Sequence, residues 1–346
     1  MNAAVDLKAF EGAYLTRGRM ISWLAVLSIA LIGSLIVAAS FGSAHLSLLR
    51  AMADSASPDH AIFFSVRFPR VLMGAAVGAV LASVGVALQA LVRNPLAEGG
   101  ILGISGGAAL GAIIALVLVS TSPLSDAIVP IAAFGSALIA TLAVYRLALI
   151  DGRLEPFTLL LIGVIFNAFW GAAIMLVNSV VNFYFAHSIL FWLMGNLEAP
   201  SYREVAIVAT FAAIGFAVLM FRARDLNLLS LGDEAAAEMG VEVDRLRRTI
   251  FIATSIMIGA AVAVSGIISF VGLIVPHILR LALGADHRLL LPASLLGGAA
   301  FMVIADLVAR TAIAPAEIPV GAITALCGGP FFIYMLRRQS RGPFAL

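Results

Sequence analysis

Nine apolar runs divide this chain, near residues 21–41, 68–92, 101–119, 127–149, 157–179, 203–221, 250–272, 289–311 and 318–336. An apolar extension, 273–284, follows the seventh directly. A helix of about 20 apolar residues matches the hydrocarbon core of a bilayer. Lipid offers no partner for backbone N–H and C=O groups, so each run must satisfy its own, as a helix does. The joined stretch 250–284 is too long for one crossing. Gly266, Gly272 and Pro276 can break it, which predicts a short eighth span near 275–284 and ten spans in all. The piece 186–197, around Phe191 and Trp192, is too short to cross and is predicted to lie at the interface. Composition agrees: 62% of residues are hydrophobic and 12% charged, against roughly 25% charged in soluble domains.

The positive charges give the expected orientation. With a cytoplasmic N-terminus, the inner segments hold 16 Lys and Arg residues and the outer segments 5, as the positive-inside rule requires. Both termini are then cytoplasmic. A tail at 1–20, a ten-span domain at 21–338 and a tail at 339–346 are expected. The first run lacks a cleavage motif and is expected to be retained.

Absences narrow the chemistry. The net charge of +2 gives no nucleic-acid footprint. Cys327 is the only cysteine, so neither an intramolecular disulfide nor a thiolate metal cluster can form, and no metal ligand set is predicted. Lys8 is the only lysine and no Gly-rich loop leads to it, so the chain has no P-loop. Ionisable groups within spans are scarce, Asp306 being the best candidate. That argues against an ion-coupled secondary carrier, which stays open as an alternative. Ser105, in Gly103-Ile-Ser-Gly106, resembles a nucleophile but has no histidine near it in sequence, so a packing role outweighs catalysis.

Several segments stand out. Gly74, Gly78, Ala82 and Gly85 form a small-residue stripe suited to close helix packing. Gly74-Ala-Ala-Val77, with Gly85 and Pro95, echoes Gly259-Ala-Ala-Val262, with Gly266 and Pro276, on runs that cross in opposite senses. That pattern suggests an inverted repeat. The connection 222–249 is the longest inner one. Within it 231–240 reads as a short helix, with Asp233 and Glu234 in its first turn and Gly240 at its end. A second short helix from Val243 carries Arg245, Arg247 and Arg248. This loop is the natural dock for a cytoplasmic partner. At the outer face stand Arg67, Arg70 and Arg310. His187, beside Tyr184, Phe185 and Met194, could touch a substrate, although an interfacial role is the simpler account.

Arg67-Phe-Pro-Arg70, Gln89, Arg93-Asn-Pro-Leu-Ala97 and Ile101-Leu-Gly-Ile-Ser-Gly-Gly-Ala108 resemble the first-half motifs of the FecCD family of ABC-importer permeases. Gly266 to Arg280, Asp286-His-Arg288, Ala305 to Arg310 and Glu317-Ile-Pro-Val-Gly321 resemble its second half. The likeness implies an all-α type II importer permease in the bacterial inner membrane, acting on iron-siderophores, haem or vitamin B12. It implies a homodimer with two ATPase subunits, which hold ATP and Mg, and a periplasmic binding protein. This chain itself would carry no cofactor and perform no catalysis. By similarity, Arg67, Arg70 and Arg310 would pair with acidic groups of the binding protein. Gly232, Glu234, Glu238, Met239, Gly240 and Arg245 would meet the ATPase. Asn94, Leu96, Glu155 and Pro156 would lie at the cytoplasmic gate, and the fifth and tenth spans would line the pathway. Where relatives have Asp/Glu-Pro, this chain has Glu98-Gly99-Gly100, which is expected to loosen that turn.

Overall fold

The computed structural model describes residues 16–42, 46–119, 124–197 and 200–339. Lys8 and Arg341 lie outside them. Helix α1 (Arg17–Ser40) starts where the Thr16 hydroxyl accepts the Arg19 amide. After α2 (Leu48–Ala53) and α3 (Pro58–Ala61), a π-helical segment, Ile62–Arg67, leads without a break into α4 (Phe68–Leu91). Then come α5 (Ile104–Val119), α6 (Ser125–Leu147), a hairpin of β1 (Leu149–Ile150) and β2 (Arg153–Leu154), α7 (Pro156–Val180) and α8 (Phe183–Leu193). Helix α9 (Tyr202–Phe221) opens with a capping box between Ser201 and Glu204. It is followed by α10 (Ala223–Leu229), α11 (Asp233–Glu238), α12 (Val243–Ser265), α13 (Val271–Leu283), α14 (His287–Thr311) and α15 (Val320–Gln339). Among the described residues seven helices have the length and hydropathy of full spans, and α5, α13 and α15 are shorter apolar helices. Together they are the ten expected.

Burial sorts the spans. In the most apolar window of each, α4 is 78% buried, whereas α1 is 6% and α7 11% buried. Helix α4 is therefore the axis of the subunit, while α1 and α7 turn most of their surface outward to lipid or to another chain. Helix α4 packs on α14 and α13, and α12 packs on α6 and α5. The second span of each half thus lies on the third and fourth spans of the other, as an inverted repeat requires. The sequence echo is looser than the architecture: Pro95 falls in the connection after α4, Pro276 inside α13.

The small-residue stripe of α4 meets backbone. A Cβ on Gly78 would stand 2.2 Å from the Gly298 carbonyl oxygen, and one on Gly85 2.0 Å from that of Gly272. Only glycine permits these approaches.

Two expectations need correction. The break after α12 lies at Gly266–Phe270, where Gly266 and Phe270 have φ of 66° and 70°, so the short span is Val271–Leu283 rather than 275–284. Gly272 and Pro276 sit inside it, because the rest of the fold repairs what the proline removes. Pro276 cannot donate to the Gly272 carbonyl four residues earlier, and Gln89 Nε2 does so instead at 3.0 Å. The second correction concerns the helix expected to start at Val243 as a separate unit. It is the first turns of α12, and the additional short helix is α10, before the predicted 231–240 segment. That segment is itself helical only over Asp233–Glu238.

Candidate functional site

At one end of the bundle Arg67, Arg70 and Arg310 come together, but not as an exposed rim. They are 5%, 7% and 3% exposed, and their partners lie inside the subunit. Arg70 donates through Nε to Asp306 Oδ1 at 3.0 Å and through Nη1 to Glu317 Oε2 at 2.8 Å. Arg310 Nε stands 2.9 Å from Asp306 Oδ2, an ion pair made by proximity rather than by hydrogen-bond alignment. The C-terminus of α1 explains the rest. The last carbonyls of a helix have no partner within it and carry partial negative charge. Arg310 donates to the Ala38 and Phe41 carbonyls, and Arg67 to those of Ala39 and Ser40. Arg67 and Arg310 thus cap α1, and Arg70 binds α4 to α14 through Asp306. Of the two carboxylates, Asp306 is buried, and Glu317, with a side chain 30% exposed, reaches the surface.

At the opposite end, α11, the turns on either side of it and the start of α12 carry the residues assigned to coupling. Glu234, Glu238, Met239, Gly240 and Arg245 are exposed, with Leu231 and Met239 forming an apolar tip. Gly232 and Gly240, at φ 120° and 87°, bound α11 with conformations that suit glycine. Beneath this surface Asp233 Oδ1 accepts from Arg247 at 2.8 Å and faces Arg93 at 3.5 Å. Asn227, which sequence reasoning passed over, is fully engaged. Its Nδ2 donates to Asp286 Oδ1 at 2.9 Å, and its Oδ1 accepts the His287 amide at 2.8 Å and His287 Nδ1 at 2.7 Å. Burial opposes the Asp286 charge, but hydrogen bonds from Arg288 and Asn227 prevail and hold its carboxyl at about 2. The stability this carboxylate contributes is present above its ordinary pKa and is lost as pH falls from there through about 2, so Asp286 stays ionised near neutrality.

The gate residues lie at this same end. Asn94 Oδ1 takes the Leu96 amide at 2.9 Å in a turn that follows Arg93. Glu155 caps α7, accepting the Phe157 and Thr158 amides, with Pro156 in the first turn. The hydrogen bond from Thr158, with the charge of Arg247 adding to it, holds the Glu155 carboxyl below the usual range. The Glu98-Gly99-Gly100 turn is pinned rather than loosened. Asn167 Nδ2 donates to the Gly100 and Ile101 carbonyls, and Glu98 Oε2 accepts the Phe270 amide at 3.0 Å.

Two of the cavities that border α8 are lined by residues singled out in the sequence. One, of about 440 Å³, is bordered by His187, Phe191, Trp192 and Asn196, and the His187 ring tilts against Phe191 at 4.8 Å. The other, of about 600 Å³, lies between α5, α7 and α8 and is bordered by Glu98, Ser105, Asn167, Trp170 and Ser269. Among the described residues no histidine borders it, and the one carboxylate that does, Glu98, accepts the Phe270 amide.

Comparison with known proteins places this geometry. The model of the FecCD transport family matches residues 26–338. The chain is 45% identical, over 79% of its length and 72% of the relative's, to the cobalamin import system permease of Halobacterium salinarum. It is 38% identical to the hemin transport system permease of Yersinia pestis, over 88% of this chain and 93% of that one. A solved structure described as a metal-chelate type ABC transporter in an inward-facing conformation superposes with a TM-score of 0.81 at 30% identity. It covers 92% of this chain and 99% of that one.

Proposed function

The chain belongs to the FecCD transport family and is an ABC-importer permease by that membership, and we propose that it carries an iron chelate, a siderophore complex or haem, across the inner membrane. In this reading it works as a homodimer with two ATPase subunits and a periplasmic binding protein. ATP is hydrolysed on the ATPase partner, and transport follows alternating access. The end bearing α10 and α11 is cytoplasmic, as are both termini. The binding protein docks at the opposite end, above Glu317, with Arg67, Arg70 and Arg310 as the buried base that shapes and charges that face. The observation that carries the reading is the match of family model and solved fold over nearly the whole chain, joined to an acidic and apolar tip on α11 and its flanking turns, held from beneath by the Asp233–Arg247 pair.

A second cargo, cobalamin, is favoured by the 45% identity to the Halobacterium permease. Family membership sets aside the ion-coupled carrier.

Uptake decides between the cargoes. In proteoliposomes holding the chain with its ATPase and binding protein, one of labelled ferric siderophore, haem and cobalamin is expected to accumulate only with ATP. Accumulation of cobalamin alone would replace the iron reading, and ATP-independent accumulation driven by an ion gradient would end the importer reading.

The dimer has a native reporter. Cys327 is exposed on α15, a helix expected to line a shared pathway. A short bis-maleimide is expected to give a dimer band that Cys327→Ser abolishes; a band that persists in the variant, or none in the wild type, contradicts that arrangement.

A further inference from the structure

Helix α13 ends in the turn at Asp286, which α10 holds beneath the coupling surface, and packs on the short helix α15. It has 13 residues, about 20 Å at 1.5 Å per residue, which is less than the ~30 Å thickness of the hydrocarbon core. It therefore runs from the α10–α11 end only part of the way through the protein, and its inner end meets covered, irregular backbone.

The outer joint is Asn227. Its three side-chain hydrogen bonds go to Asp286, in the turn between α13 and α14, and to His287, which opens α14. His287 is 5% exposed, so one side of this half-buried contact is set in the core. A displacement of α10 must carry this turn with it or break three bonds.

The inner joint is Phe270. It is a non-glycine residue at φ 70°, a conformation that persists only where the surroundings impose it. Glu98 holds its amide. Its ring fills the place of the absent side chain of Gly328 on α15, where a Cβ would stand 2.2 Å from Phe270 Cγ. It also faces the Phe332 ring at 6.4 Å between centroids. Between the joints, Gln89 ties α13 to α4 at the Gly272 carbonyl and at Arg280.

We infer that α13 is a connecting rod: Asn227 passes movement of the ATP-driven coupling helices to α13, and Phe270 passes it to α15. Asn227 and Phe270 are positioning residues that touch neither ATP nor cargo. This inference rests on the importer reading proposed above.

The test uses the full complex in proteoliposomes, with ATP hydrolysis and uptake measured together for whichever of ferric siderophore, haem or cobalamin the wild type accumulates. Asn227→Ala is expected to leave hydrolysis within about twofold and to lower uptake per ATP at least tenfold. Phe270→Gly tests the other joint: glycine adopts φ 70° freely, so the backbone is kept while the ring is lost, and the same uncoupling is expected. Asn227→Asp keeps the acceptor for His287 but sets a second carboxylate against Asp286, and should fall between wild type and Asn227→Ala. Unchanged uptake per ATP in both Asn227→Ala and Phe270→Gly overturns the inference. Equal loss of uptake and hydrolysis, with the ATPase no longer co-purifying, also overturns it, because Asn227 would then only support the docking surface. A wild-type complex that accumulates no cargo with ATP refutes the importer reading itself.

Discussion

Asp306→Ala is expected to destabilise the folded subunit by about 3–5 kcal/mol, the range for removing one partner of a buried ion pair. The reason is the arrangement around Asp306. Asp306 is 1% exposed, and its carboxylate is an ion-pair partner of two guanidinium groups, those of Arg70 and Arg310, themselves almost fully buried. Removing it leaves Arg70 with Glu317 and leaves Arg310 with only the α1 carbonyls. Carbonyl dipoles do not balance a full charge in a medium of low dielectric. Glu317→Ala should cost far less, about 0–1 kcal/mol, because its carboxylate is partly solvated. The double variant Asp306→Leu, Arg310→Met should recover part of the loss by removing the stranded charge. It should not recover all, because the Ala38 and Phe41 carbonyls then lose their donor. Unfolding of the three variants in one detergent, by heat or denaturant, gives the comparison. An Asp306→Ala loss no greater than that of Glu317→Ala contradicts the network.

The same residues show where the sequence is informative and where it is silent. The ten spans are legible because backbone desolvation in lipid leaves one solution for a long apolar run, and the run lengths state it directly. The arginines of Arg67-Phe-Pro-Arg70 and Arg310 are conspicuous in sequence, but their partners are not. For Arg67 and Arg310 the acceptors are the C-terminal carbonyls of α1, which every helix has and no residue type announces. That is why an exposed rim is the natural expectation and a buried cap the outcome. Pro276 misleads in the same way. Its missing N–H is plain in sequence, whereas the repair by Gln89 depends on the distant chain crossing at that point. Asn227 carries no local signal, since an asparagine in a polar loop is unremarkable until the α13–α14 turn is folded beneath it. The acidic start of α11, by contrast, is legible, because helix dipole and terminal glycine act within a few residues.

Gly78→Leu is expected to prevent correct packing of α4 on α14. The loss should be at least the 1–3 kcal/mol usual for overpacking, read as reduced yield of monodisperse subunit and a lowered melting temperature in detergent. The stripe of small residues suggests that all its members matter alike; the structure separates them. A Cβ on Gly78 would stand 2.2 Å from the Gly298 carbonyl oxygen and 2.5 Å from Met302 Cβ, so even Gly78→Ala needs the helices to part. At Gly74 the nearest atom to a new Cβ is Leu197 Cδ1 at 3.4 Å, an ordinary contact with a side-chain end. Gly74→Ala should therefore lie within about 0.5 kcal/mol of wild type. No compensating substitution is available to Gly78→Leu, because the group it strikes is backbone and the facing residue is already glycine. A Cβ on Gly298 would in turn meet the Gly78 carbonyl at 2.4 Å. The two helices are mutually closed at this level, and that reciprocity is why the axis of the subunit tolerates no side chain on either strand of the contact. Equal stability of Gly78→Leu and Gly74→Ala would show that the α4–α14 contact can open at little cost, and would remove α4 from its place as the buried axis of the subunit.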